Sequence, residues 1–310
     1  MISVKNLTKS YGSFKAINNL NFNISSGEII GFLGPNGAGK TTTMKLLTCF
    51  MPPSSGEILI NGLSIHDQSL EIRKQLGYLP ENTPLYENMT VYDYLLFIGK
   101  IRLLSDSIIS EAIERVVHLC KLQSVIHKYI YTCSKGFKQR IGIAQAIIHN
   151  PALLILDEAT SGLDPSQIID MRHLIKDISK TATIIICSHI LSEVTATCSR
   201  VFILNRGSII ADGSPTDLLQ DKQFIINIST TLPYPRITKL FSKLHDLKSI
   251  NIISDKDNIY SYDLYCMSDI RESLFSLCAN NNVILSNLSL RESNLEDMFI
   301  SLTKDTKNDN

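Results

Sequence analysis

The residues Gly34-Pro35-Asn36-Gly37-Ala38-Gly39-Lys40-Thr41 fit the pattern G-x-x-x-x-G-K-[ST] at every position. Glycines let consecutive backbone N–H groups turn inward on a phosphate, and a helix opening at Lys40 adds its positive dipole end. The Lys40 ammonium can then reach the β- and γ-phosphates, the Thr41 hydroxyl can ligate Mg²⁺, and Thr42 can reach the α-phosphate. A second cluster is Asp157-Glu158, two carboxylates that close the apolar run Leu153-Leu-Ile-Leu156. Asp157 would hold Mg²⁺ through its water shell, and Glu158 would orient or deprotonate an attacking water. His189 follows another apolar run, Thr183–Cys187, and could hydrogen-bond a γ-phosphate there. Together these groups supply one site for phosphoryl transfer from ATP to water.

Elements of a particular kind must position them. Ile29–Leu33, Ala152–Leu156, Thr183–Cys187 and Arg200–Leu204 are continuous apolar runs of strand length. Continuity, as opposed to alternation, predicts strands buried on both faces of a parallel sheet. A helix is expected over Lys40–Cys49, and another over Ser107–Leu122, where Ile109, Ala112, Ile113, Val116, Leu119 and Cys120 recur at helical spacing. Strand ends in such α/β sheets are where ligands bind. That places Asp157, Glu158 and His189 on the same side as the phosphate loop.

The rhythm changes after Gly213-Ser-Pro215. Phe224–Ile228 reads as a strand and Ile237–Leu244 as a helix. Ser249–Ser254 and Tyr260–Met267 read as a strand pair across Asp255–Asn258. Ile270–Ala279 reads as a helix, Val283–Leu290 as a strand and Asn294–Leu302 as a last helix. The order β-α-β-β-α-β predicts a small α+β domain of ferredoxin-like type.

Composition narrows the class. Hydrophobic residues make up 44% and charged residues 19% of the 310, enough apolar material for a packed core and not a disordered composition. Lys+Arg and Asp+Glu are 30 each, so no global basic excess points to nucleic acid. Seven dispersed cysteines without a C-x-x-C pair read as reduced thiols, not as a disulfide or zinc framework. The first residues show no basic-then-apolar secretory pattern, and no apolar run approaches the roughly 18 residues that span a bilayer.

The motifs, taken together, resemble the ATP-binding subunit of an ABC transporter over roughly residues 1–215. The family signature Leu-Ser-Gly-Gly-Gln has a degenerate counterpart in Cys133-Ser-Lys-Gly-Phe137, followed by Lys138-Gln139-Arg140 and a helix over Ile141–Ile148. Ser161-Gly-Leu-Asp164 resembles the D-loop, and His189 stands at the switch-histidine position. Tyr11 precedes the phosphate loop at the spacing where the family stacks an aromatic ring on adenine. Gly77-Tyr-Leu-Pro-Glu81 with Pro84-Leu-Tyr86, and the ending Ser293–Leu302, resemble the subgroup serving type-two exporters.

The resemblance implies an α/β fold: a P-loop nucleotide-binding domain over residues 1–215 with a helical subdomain at about 82–145, a small α+β domain over 216–303 and a polar tail at 304–310. It implies ATP and Mg²⁺ as cofactors. Tyr11, the loop residues Gly34 to Thr42, Glu81, Ser134, Gly136 and Asp164 would bind nucleotide; Thr41, Asp157 and Glu81 would hold the metal; Glu158 and His189 would be catalytic.

Two departures matter. The signature keeps Ser134 and Gly136 alone, and Glu81 stands where most members carry the Q-loop glutamine, so its added charge must be offset. The implied protein is a cytoplasmic ATPase, peripheral on the membrane through an integral-membrane permease and paired head to tail with itself or a related subunit. Residues between Glu81 and Ser134 would dock the permease. The alternatives are a non-transport ABC ATPase acting on ribosomes or DNA, and a module that holds ATP without turnover. The single ATPase half argues against the first, and Glu158 argues against the second.

Overall fold

The computed structural model describes residues 1–218, 224–242, 244–256 and 259–292. The chain divides into two compact units, Met1–Pro215 and Thr216–Asn310. The helix expected over Asn294–Leu302 and the tail at 304–310 lie outside the described residues.

The first unit is built on a six-stranded sheet in the order Ser208–Gly213, Arg200–Asn205, Ile29–Leu33, Thr183–Ser188, Leu153–Asp157, Leu76–Leu79. Five strands are parallel, and Ser208–Gly213 closes one edge antiparallel. Every residue of Leu153–Asp157 and Thr183–Ser188 is buried, as the continuous apolar runs require. Strands and expectation differ by a residue at their ends: the acidic-pair strand begins at Leu153 and takes in Asp157.

A second sheet, antiparallel, packs on this one. Its order is Phe14–Ile24, Ile2–Tyr11, Ser55–Ile60, Leu63–Ser64. It goes beyond the strands read from the sequence, although the alternation is there: Ile17, Leu20, Phe22 and Ile24 face inward with Ile2, Val4, Ile58 and Ile60. Phe22, Phe32 and Phe202 join the two sheets, with ring centroids 5.1 to 5.5 Å apart. Aromatic packing at this spacing adds to the area the rings bury.

Three helices, Val91–Ile101, Asp106–Leu119 and Lys135–Ile147, pack together as the helical section. Thr90 caps the first by accepting the Asp93 N–H at 3.1 Å. The third begins earlier than Ile141, where the sequence placed it. Ser134 is its N-cap and accepts the Phe137 N–H at 3.4 Å, so Lys135 to Arg140, largely polar, form its first turns.

The second unit has the strands Phe224–Thr230, Leu247–Lys256, Ile259–Cys266 and Leu285–Glu292, with the helices Tyr234–Phe241 and Arg271–Asn280. All strand pairs are antiparallel, and counting strands within the unit the order is second, third, first, fourth. This is the split β-α-β arrangement expected from the element order. Ile226, Ile228, Tyr262 and Leu264 pack with Ile237, Phe241, Leu274 and Cys278 in its own core. The first helix starts three residues before the expected Ile237, with Pro233 as N-cap and Pro235 in its first turn, a position where proline loses no intrahelical bond.

One half-buried histidine ties the helical section to the sheet. His149 Nε2 lies 3.1 Å from the Leu76 carbonyl oxygen, so Nε2 carries the proton and donates, leaving Nδ1 buried without a partner. Burial, with the charges of Arg102 and Arg115 adding to it, pushes the imidazole down to about 4. The unfolded histidine titrates near ~6.5. The folded state therefore takes up this proton less readily, and its contribution is complete above that value and lost as pH falls toward about 4. Allowing for partial solvent screening, the loss is about 1–2 kcal/mol. Thermal unfolding of wild type should weaken more steeply across this window than that of His149→Gln, whose amide can still donate to Leu76. Parallel pH profiles for the two proteins would refute the assignment.

Candidate active site

The phosphate loop follows the central strand Ile29–Leu33 and opens the helix Lys40–Leu47, with Gly39 as its N-cap. Glycine is required here on two counts. Gly37 and Gly39 have φ of 81° and 102°, in the left-handed region. A Cβ on Gly34 would lie 2.5 Å from the Leu204 carbonyl oxygen, and one on Gly39 would lie 2.7 Å from that of Ala16. The loop is thus wedged between the two sheets. Lys40 is buried, and its ammonium donates to the carbonyls of Gly34 at 2.7 Å and Pro35 at 3.1 Å. It lies curled over the loop, within reach of any anion the loop takes.

A cleft of about 340 Å³ opens on this loop. Asn36, Gly37, Gly39, Lys40, Thr41 and Thr42 line one side, and Glu81, Glu158 and His189 another. Tyr11 stands at its rim, half-exposed, with its hydroxyl 3.1 Å from the Met51 sulfur. The structure also brings in Phe14, which the sequence reading missed. Phe14 pairs directly with Tyr11 across the hairpin turn and exposes 62% of its surface. An aromatic residue three positions after Tyr11, past Gly12, was the available signal. Two exposed aromatic residues paired across a hairpin turn can flank a base.

Glu158 and His189 meet. His189 Nδ1 is 2.9 Å from both Glu158 carboxylate oxygens, and since a carboxylate accepts, Nδ1 donates. Glu158 has φ of 53°, an uncommon value outside glycine, at the point where the strand Leu153–Asp157 ends.

Asp157 is 1% exposed, and neither carboxylate oxygen has an N–H or O–H donor; the weak Cys187 thiol is the donor beside it. Burial pushes its carboxyl up from the usual range; the Cys187 thiol opposes this by hydrogen bonding, Glu158 and Glu81 add to the rise, and Lys40 opposes it. A sealed carboxylate with no N–H or O–H donor fits a hard divalent cation, which prefers charged oxygen ligands. Among the described residues no three His, Cys, Asp or Glu side chains are preassembled into a metal cluster. The donor set fits Mg²⁺ nonetheless, because that ion keeps waters and takes one or two carboxylates together with substrate phosphates.

Ser134, Gly136 and Asp164 do not line this cleft. Ser134 heads its helix, and a Cβ on Gly136 would fall 2.8 Å from the Gln167 side-chain oxygen. Asp164 caps the helix Pro165–Ile178, accepting the Gln167 N–H at 2.9 Å and the Ser166 hydroxyl at 2.7 Å. The Gln167 N–H, with Ser166, holds its carboxyl below the usual range. Lys135, the residue that replaces a signature glycine, rests against Gly162 beside Asp164: a Cβ there would lie 2.0 Å from its Nζ.

The profile of the family described as ABC transporter matches residues 17–161. The bacitracin transport ATP-binding protein BcrA of Bacillus licheniformis is 35% identical over 97% of each chain. The linearmycin resistance ATP-binding protein LnrL of Bacillus subtilis is 30% identical over the full length of both. A solved ATP-binding subunit of an ABC transporter superposes with a TM-score of 0.65 at 30% identity, covering 70% of this chain and 91% of that one. The dimeric cassette MJ0796, at 23% identity and a TM-score of 0.64, shares the fold. Relatives spanning the whole chain are transporter subunits, so the ribosome- or DNA-acting alternative falls away. The chain therefore belongs to the ABC transporter family, as one of its ATP-binding, ATP-hydrolysing subunits.

Proposed function

We propose that this chain hydrolyses ATP at a site shared between two copies, or between itself and a related subunit, and so drives export through a separate membrane permease. The observation that carries the reading is the convergence of the phosphate loop, Glu158 and His189 on one cleft. Tyr11, joined by Phe14, stacks on adenine. The loop N–H groups from Gly34 to Thr42, Pro35 excepted, and the Lys40 ammonium hold the phosphates. Thr41, Asp157 and Glu81 hold Mg²⁺, which would offset phosphate charge when bound. Glu158 accepts the proton of the attacking water, and His189 orients the Glu158 carboxylate through Nδ1 and turns toward the γ-phosphate as it enters.

Ser134 and the Gly136 N–H complete the site from the opposite copy, which accounts for their lying outside the cleft of their own chain. Asp164 lies at that boundary as a cap. Among the described residues no helix is long and apolar enough to cross a membrane. Membrane association then comes through the permease on the cytoplasmic face. Its docking surface is the helical section, where Tyr86 and Tyr92 are exposed. The relatives named for bacitracin transport and linearmycin resistance support compounds of that kind as the cargo.

Glu158→Gln should lower the ATP turnover rate by about 100-fold or more while ATP binding survives, because the amide cannot take the proton and the phosphate loop is untouched. Single-turnover hydrolysis beside nucleotide titration checks this; wild-type turnover in the variant removes Glu158 from its role.

The shared site is tested by mixing. Ser134→Arg and Lys40→Ala chains should each fail to dimerise with ATP, whereas their mixture should regain part of that response, since one of its two sites keeps both groups. Analytical ultracentrifugation reads the outcome. No recovery on mixing or on fusing the two chains rules out the head-to-tail arrangement.

A further inference from the structure

The strands Leu153–Asp157 and Thr183–Ser188 run side by side and parallel, in register from Leu153 with Thr183 to Asp157 with Cys187. The Glu158 N–H extends that pairing by one bond, to the Cys187 carbonyl at 2.9 Å. Beyond it the chain diverges into two loops, one carrying Glu158 and the other His189. A single buried side chain bridges them. Glu193 stands in the first turn of the helix Leu191–Thr197 and is 6% exposed. Its Oε2 accepts from the Thr160 hydroxyl and from the Ser188 hydroxyl, the latter at 3.3 Å. Ser188 Oγ in turn accepts the Ile190 N–H at 3.0 Å, which fixes the backbone on the far side of His189. Thr160 lies two residues after Glu158, and Ser188 immediately precedes His189.

The other oxygen, Oε1, is buried with no hydrogen-bond partner. An unsatisfied buried carboxylate oxygen costs free energy. Stability alone would favour a side chain without it, so the two hydroxyl contacts are what this carboxylate is there to make.

We propose that Glu193 is a positioning residue for hydrolysis: by binding Thr160 and Ser188 at one buried oxygen, it holds the two loops in the spacing that keeps Glu158 and His189 at hydrogen-bond distance. This rests on the reading of Glu158 as the base. The residue touches no reacting atom. It acts through geometry, and small misplacements of reacting groups cost rate far more than they cost binding.

The test uses the full chain and compares kcat with KM for ATP. Glu193→Ala should lower kcat by about 10-fold with KM within about twofold, because the nucleotide contacts are elsewhere. Glu193→Gln should return to within about threefold of wild type, since the amide oxygen offers two lone pairs to the same hydroxyls. Thr160→Val removes one of those contacts from the opposite side with little change of shape. It should lower kcat severalfold, and the double variant with Glu193→Ala should be no slower than Glu193→Ala alone. In a Glu158→Gln background, Glu193→Ala should have no further effect.

Wild-type kcat in folded Glu193→Ala overturns the proposal. So do equal losses in the Ala and Gln variants, which would make charge and not the double contact the function. Should Glu193→Ala fail to fold, Thr160→Val decides, and unchanged kcat there is equally fatal. Full turnover in Glu158→Gln alone refutes the assignment of the base and leaves the contact between the loops to be judged by the Thr160 and Glu193 series.

Discussion

A carboxylate sealed at the end of a central strand, with no N–H or O–H donor to either oxygen, sets the terms for everything around it. Asp157 is in that position. Glu158 and Glu81 add negative potential, and Lys40, the cation acting on it, is held by the loop carbonyls of Gly34 and Pro35. A triphosphate entering the cleft brings further negative charge. Such a collection calls for positive charge to enter with it, and in the proposed function Asp157 and Thr41 would offer their hard oxygen donors to a small divalent cation. Glu81, where the family pattern has an amide, increases that demand.

The sheet is built to tolerate this arrangement. The phosphate loop lies against backbone on both sides, with Gly34 at the Leu204 carbonyl and Gly39 at the Ala16 carbonyl. These are contacts to two different sheets, so the loop is correct only when both sheets are in place. The Phe22, Phe32 and Phe202 cluster supplies the apolar contact that joins them. Tyr11 and Phe14 extend from the antiparallel sheet to the cleft that the parallel sheet defines. In the proposed function, base recognition and phosphate recognition would thereby be carried by different sheets and registered by one core.

Much of this was legible in the sequence because its signal is local. The phosphate loop, the acidic pair and the fully buried strands are short runs whose composition states their environment, and the β-α-β-β-α-β order of the second unit follows from alternating short elements. What could not be read depends on distant partners. The antiparallel sheet pairs Ile2–Tyr11 with Ser55–Ile60, and nothing in either segment names the other. The helix placed at Ile141 begins at Lys135 because a cap decides its start, and its first turns are largely polar. Glu193 reads as one more helix-turn carboxylate until Thr160, far back in the chain, is found against it. Asp164 shows the converse: a residue singled out by motif has its carboxylate committed to capping a helix.

The backbone at Glu158 shows where chemistry overrides local preference. In a strand, successive side chains point to opposite faces, so an extended Glu158 would face away from Asp157. Its φ of 53° breaks the strand at that residue, with its N–H bonded to Cys187 and its carbonyl accepting the Ser161 N–H at 3.1 Å. Asp157 stays sealed in the sheet while the Glu158 carboxylate reaches the cleft and His189. A non-glycine residue in this region costs on the order of 1 kcal/mol, and glycine would remove that strain. Glycine would also remove the only carboxylate that His189 touches among the described residues. The side chain is therefore kept at a conformational cost that the surrounding hydrogen bonds hold in place, a pattern that supports the proposed role of Glu158 as the base.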